Sequence, residues 1–220
     1  MIEILHKDKD FLVCVKPQGI PSQPDTTGCE DMTSYLCAQL KENGENSDIF
    51  VVHRLDRATG GLILYARNKN AAASFSQLVA EKDGFKKHYI AIISGALEEK
   101  IGNMTDYLFK DSANKKSFVV KNERKGAKLA SLNYEVKKEV SANEKTYSLV
   151  QIELHTGRFH QIRAQFSHRG LPIYADGKYG SREKAQSFAL WANKLCFTYK
   201  GKEYSFEKNP DFNLSPWNLF

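Results

Sequence analysis

Polar and apolar residues alternate over residues 145–155, where Val150, Ile152 and Leu154 are separated by Gln151 and Glu153. A period of two marks a half-buried strand. Residues 129–136 repeat it, with Leu129, Ser131, Asn133 and Glu135 on one face and Ala130, Leu132, Tyr134 and Val136 on the other. Short stretches at 2–6, 11–16 and 88–94 also read as strands, the second closed by Pro17, which cannot donate to a ladder. Ile49 to Val52 and Gly61 to Ala66 are unbroken apolar runs and read as buried strands. Residues 188–199 return to strand character.

Three segments change period. Met32, Tyr35, Leu36 and Leu40 fall at helical spacing within 31–43, and Gly44 stops the pattern. Residues 69–82 are alanine-rich and helical. Phe159, Ile162 and Phe166 share one helical face of 158–169, before Gly170-Leu171-Pro172. Basic residues gather at 82–88, 110–128 and 137–138 and read as solvated loops. With no repeat and no linker, residues 1–220 read as a single domain. Its expected class is mixed α/β (α+β), one large, mostly antiparallel mixed sheet flanked by helices.

Composition narrows the function. With 41% hydrophobic residues and 13 Phe in 220, the chain can bury a core. No run approaches the length needed to cross a bilayer, and residues 1–17, with acidic residues among them and no small-residue cleavage site, are not expected to act as a signal peptide. A cytoplasmic protein without a membrane partner is expected. Cys14, Cys29, Cys37 and Cys196 form no CxxC pair, so reduced thiols are expected rather than disulfides or zinc. The net charge of +6 suggests a polyanionic partner.

Residues 51–67, VVHRLDRATGGLILYAR, run an apolar strand into His53-Arg54-Leu55-Asp56-Arg57 before Gly60-Gly61 opens the next strand. Charged residues at the end of a buried strand sit on a rigid scaffold, where sites are built. Strand alternation would turn Arg54 and Asp56 one way, His53 and Leu55 the other. On spacing alone, a surface turn with incidental charges is the competing reading.

HRLDRATGG resembles the HRLDxxTSG signature of the RluA family of RNA pseudouridine synthases. KPQGIPSQP at 16–24 resembles that family's first motif, KKHYIAIISG at 86–95 its KxYxAxxxG segment, and LHTGRFHQIRAQFSHRGLPIYADGKYG at 154–180 its third motif. Four motifs in family order cover about residues 10 to 200. Two departures stand out: Gly60 replaces the usual Ser, which questions the local turn geometry, and residues 1–220 are expected to hold the catalytic domain without the small amino-terminal RNA-binding module of many relatives.

The resemblance implies a pseudouridine synthase fold that isomerises uridines of structured ribosomal or transfer RNA after flipping the base. Such an isomerisation needs no cofactor, no metal and no redox partner. Asp56 is the implied catalytic carboxylate, whether it attacks sugar or base or takes the ribose 2′ proton. Arg163 is implied as its guanidinium partner and Tyr89 as the ring that stacks on uracil. Arg54 is either a wedge replacing the flipped base or a phosphate contact. Arg158 and Lys16 join it as RNA contacts, with Lys87 and His53, although His53 is also suited to holding the turn. His160 and Gln161 brace the pocket or touch the RNA backbone, and Gly157 allows a sharp entry into the helix. Arg57 receives no role. His155, His160 and His168 lack the acidic company of a metal site. A monomer is the default, and an RNA-binding protein without catalysis is the alternative.

Overall fold

The computed structural model describes residues 1–26, 28–81, 84–142 and 144–220. The end of the expected 69–82 helix and the start of the basic stretch 82–88 lie outside them. The chain divides into two compact units, residues 1–86 with 191–209, and residues 87–190 with 210–220. Strands dominate both and pair mostly antiparallel, the mixed α+β class that the periodicity predicts. Among the described residues, no helix is long and apolar enough to cross a membrane.

In the first unit, β1 (Ile4–Lys7) pairs with β2 (Phe11–Lys16), and β2 pairs antiparallel with β4 (Gly60–Ala66). On the other side of β4 lies β10 (Leu190–Tyr199), parallel to it at Trp191 and Ala192. β11 (Lys202–Glu207) hairpins onto β10. The expected strand at Ile49–Val52 shrinks to β3 (Phe50–Val51), two half-buried residues at the end of β4. β4 itself is buried at every position, which is why it shows no alternation.

Helix α1 (Met32–Glu42) begins where the Asp31 carboxylate accepts the Thr33 and Ser34 amides, and it buries Met32, Leu36 and Leu40. Helix α2 (Lys69–Ala80) is capped by Asn68, whose side chain accepts the Ala71 amide at 2.8 Å. It lays Phe75 into a core of Phe11, Val13, Leu62, Leu64, Phe85, Phe197 and Tyr199. Phe75 and Tyr199 stack with centroids 4.5 Å apart.

In the second unit, β5 (Phe85–Ser94, entering from the first unit), β9 (Lys145–Leu154), β8 (Ala127–Ala142), β6 (Ile101–Asp111) and β7 (Lys116–Val120) follow one another antiparallel. The β6–β7 hairpin corrects the reading of 110–128 as loop. Two of its lysines lie over aromatic rings, Lys110 4.8 Å from the Phe159 centroid and Lys116 4.8 Å from that of Tyr179, while Lys115, Lys121 and Lys125 are exposed.

Helix α3 (Gln161–His168) starts three residues later than expected, and Phe159 precedes it. Six consecutive residues, Gln161 to Phe166, are buried, so its burial has no single face. The sharp entry is made by His160, at φ 52°, not by Gly157. Gly170, at φ +74°, ends the helix as read, with the Leu171 amide bonded to the Phe166 carbonyl at 3.1 Å.

Candidate active site

Asp56 occupies the loop between β3 and β4. The strand ends at Val51, so ladder alternation cannot orient residues 53–56 as the sequence suggests. The alternation survives for another reason: His53 and Leu55 are buried, Arg54 is exposed and Asp56 half-buried. His53 Nε2 accepts the Leu64 amide of β4 at 3.0 Å, which makes Nδ1 the protonated nitrogen of the neutral ring. Leu55 is held at both ends by one hydroxyl, its amide donating to Ser22 Oγ at 3.1 Å and its carbonyl accepting from it at 2.9 Å. The Tyr65 hydroxyl fixes the Ser22 carbonyl at 2.6 Å. The Thr59 amide then donates to the Asp56 carbonyl at 3.0 Å and closes the turn.

Lys16 ties this loop to the one before it. Its side chain is 0% exposed, and Nζ donates to the carbonyls of Pro17 at 2.8 Å, Ile20 at 2.7 Å and Arg57 at 3.0 Å. All three N–H groups are engaged, so the RNA contact expected of Lys16 is not open to it. Burial pulls its pKa down to about 7, against the attraction of the Asp56 carboxylate. The Lys16 amine is thereby fixed near Asp56 without meeting solvent. Arg57, given no role by the sequence, is a second tie: Nε donates to the Gly19 carbonyl at 2.8 Å. The Gly19 amide in turn bonds the Arg57 carbonyl at 2.8 Å.

Gly60 has a neighbour that explains its departure from the family pattern. A Cβ there would stand 2.4 Å from Cζ3 of Trp191 and 2.9 Å from Cγ of Gln18. The indole occupies the room that a serine would need. At Gly61 the backbone itself demands glycine, with φ +113° and a would-be Cβ 2.2 Å from the Ala192 carbonyl oxygen.

In the second unit, Tyr89 lies in β5 opposite Ile152, 7% exposed, and the Gln151 side chain bonds its carbonyl at 3.0 Å. Arg163 is buried, not an exposed helical arginine. Its Nε and Nη2 fork onto the Asp176 carboxylate at 2.7 and 2.8 Å. Its guanidinium carbon lies 4.8 Å from the Tyr179 ring centroid and 4.9 Å from that of Phe188. Three of these partners went unnamed in the sequence reading, although Asp176 and Tyr179 belong to the ADGKYG stretch that ends the third motif. An acid thirteen positions beyond a helical arginine, next to two turn glycines, was the available signal.

The turn between β9 and α3 is braced from within. Gln161 Oε1 accepts the Thr156 hydroxyl at 2.7 Å and the Arg158 amide at 3.1 Å, and Nε2 donates to the Ser131 carbonyl at 3.1 Å. It is 3% exposed, with its amide group turned onto these three protein partners. His160 Nδ1 lies 3.0 Å from the Tyr179 hydroxyl, which also accepts the Ser117 amide at 2.8 Å. Burial, with Arg163 next in weight, pushes the His160 pKa down to about 3. The ring is therefore neutral, and its tautomer sets which of Nδ1 and the Tyr179 hydroxyl donates. Arg158 is exposed, its Nε on the Leu129 carbonyl at 2.9 Å. Among the described residues, no three His, Cys, Asp or Glu side chains gather as metal ligands.

Residues 10–168 match the family model described as RNA pseudouridylate synthase. The chain belongs to that family. An uncharacterised RNA pseudouridine synthase of Mycoplasma genitalium is 32% identical to it over 201 residues, covering 90% of this chain and 62% of that protein. Ribosomal large subunit pseudouridine synthase D of Borreliella burgdorferi is 31% identical over 185 residues, covering 81% of this chain and 55% of its own length. The chain thus spans somewhat over half the length of these two relatives. The solved structure of human RNA pseudouridylate synthase domain containing 1 superposes with a TM-score of 0.82 at 22% identity, over 99% of this chain and 86% of that one. That likeness is one of fold, and it extends the family's architecture over nearly all of the present chain.

Proposed function

We propose that this pseudouridylate synthase family member isomerises uridine to pseudouridine in structured RNA, with Asp56 as its catalytic carboxylate. The supporting observation is the Asp56 loop: a half-buried carboxylate, at the family's HRLD position, held by Ser22 and His53 hydrogen bonds and faced by the buried amine of Lys16. A carboxylate fixed on a rigid loop is placed as a nucleophile or base at the ribose must be. Following the family resemblance, Tyr89 stacks on the uracil and Arg163 stabilises the charged form of Asp56. The bond from uracil nitrogen to ribose breaks, the base turns, and carbon-5 takes the nitrogen's place, its proton passing to the nitrogen released.

Exposed Arg54 is suited to the gap left by the flipped base, an extrusion that costs a few kcal/mol. The β6–β7 hairpin suits the RNA backbone, since residues 110–128 carry seven basic side chains against two acidic ones. Large-subunit ribosomal RNA is the first substrate to try, because the Borreliella relative is named for it; transfer RNA is the second, and either would be met in the cytoplasm. Incubation of the protein with uridine-containing transcripts, without added cofactor, should convert uridine with no change in mass. Asp56→Asn should abolish conversion and leave RNA affinity within a few-fold. Conversion by that variant refutes the assignment, and binding without conversion by the wild-type protein favours an RNA-binding protein on the same fold.

A further inference from the structure

Lys87 is a half-buried lysine in β5, opposite Leu154 of β9 and two residues before Tyr89. The β5–β9 register runs unbroken from Lys87 to Ser94. Side chains two apart on such a strand leave the same face, roughly 6.6 Å from each other. The ammonium lies against the turn that leads into α3: a Cβ built on Gly157 would stand 3.6 Å from Lys87 Nζ. Beyond the adjoining Thr156 and Arg158, no other atom would lie within 4 Å of that Cβ, and Gly157 itself is exposed, so the ammonium is approachable from this side. Arg158, the next residue, is exposed.

Among the described residues, no hydrogen bond or ion pair holds the Lys87 ammonium. Burial pushes its pKa down and no carboxylate opposes the shift. Charges withdrawn from water inside a fold are ordinarily paired or hydrogen-bonded, because the lost hydration is otherwise uncompensated. Lys16 shows the ordinary solution in this same chain, with three carbonyls around one ammonium. Lys87 lacks it, so its placement weakens the fold unless something from outside supplies the negative charge.

We propose that Lys87, beside the open Gly157–Arg158 turn, seats a backbone phosphate of the RNA next to the nucleotide that stacks on Tyr89. The inference rests on the RNA reading above and adds a binding point to it. A base and its own phosphate are joined through one ribose, a span that fits a two-residue step along a strand. Glycine at 157 keeps a side chain out of the phosphate's approach, and Arg158 adds a second positive charge at its rim.

The test compares Lys87→Met and Lys87→Arg with the wild-type protein on one uridine-containing stem-loop transcript, measuring affinity against salt concentration and thermal melting. Lys87→Met should bind about tenfold more weakly, as expected for a lost charge-assisted bond. Its log–log salt slope should fall by about one. Its melting temperature should hold or rise, since an unpaired charge has left a half-buried position. Lys87→Arg should recover the salt slope. Unchanged affinity and slope in Lys87→Met overturn the proposal, as does a loss of binding that follows a loss of melting temperature in both variants. Wild-type protein that binds the transcript without converting it refutes the synthase reading alone, because the seat is read from binding.

Discussion

Lys16 and Lys87 are both drawn from water by burial, and their surroundings are opposite. Lys16 is closed in by the carbonyls of Pro17, Ile20 and Arg57, and its cluster joins two loops around Asp56. Lys87 stands at an open glycine turn with no partner among the described residues. The first arrangement uses an amine to fix backbone; the second leaves an amine without a protein partner. The same residue type, equally anchored on a strand, is a positioning group in one unit and, on the proposal above, a phosphate seat in the other. Burial alone does not distinguish them. Satisfaction of the ammonium does.

The sharpest way to break this contrast is to remove both charges. Lys16→Met leaves three carbonyls without their donor in a place where water is excluded. Each unsatisfied group costs about 1–3 kcal/mol, so a loss of at least about 3 kcal/mol is expected in denaturant unfolding. The same change at Lys87 should cost nothing in that measurement. Equal losses would show that both lysines are structural, and no loss at Lys16 would show that the carbonyl cluster does not hold the loops.

The sequence could not reveal this difference, and the reason is physical. KP at 16–17 and KKHY at 86–89 are both lysine-bearing strand ends, and pattern reports which face a residue takes, not what meets its tip. Long periodic segments were legible for the opposite reason: β8, β9 and α1 are specified by repeated burial, which the period records, and α2 by its run of alanines. Strand β7 was hidden because it buries only Ser117 among its five residues, so that a paired strand reads as a solvated loop. Asp56, Tyr89 and Arg163 were named through motif resemblance. Asp176, which fixes the Arg163 guanidinium, was not, since a bond across thirteen residues leaves no period.

A smaller effect sharpens the contrast between the two surroundings. Gly60 borders the Lys16 loop, and restoring the family's serine there would drive a Cβ into Trp191 and Gln18. Gly60→Ser should therefore destabilise by about 1–3 kcal/mol, the usual range for overpacking, seen as a lower urea midpoint at unchanged slope. A variant as stable as the native chain would mean that the indole yields freely and that this region is looser than its hydrogen bonds imply.

Gly157 is the matching position beside Lys87, and the smallest effect is expected there. An added methyl meets only the lysine nitrogen at 3.6 Å, ordinary contact distance, and the residue is not among the glycines of positive φ. Gly157→Ala should thus leave stability within about 0.5 kcal/mol, or raise it slightly by restricting the unfolded chain. Thermal melting of the variant decides the matter. A drop of more than about 1 kcal/mol would reveal steric demands at this turn as strict as those around Gly60, and the picture of one closed and one open lysine site would fail. With melting unchanged, the room beside the Lys87 ammonium serves no packing need, which leaves the approach of an anion as the reason for a side-chain-free turn at that point.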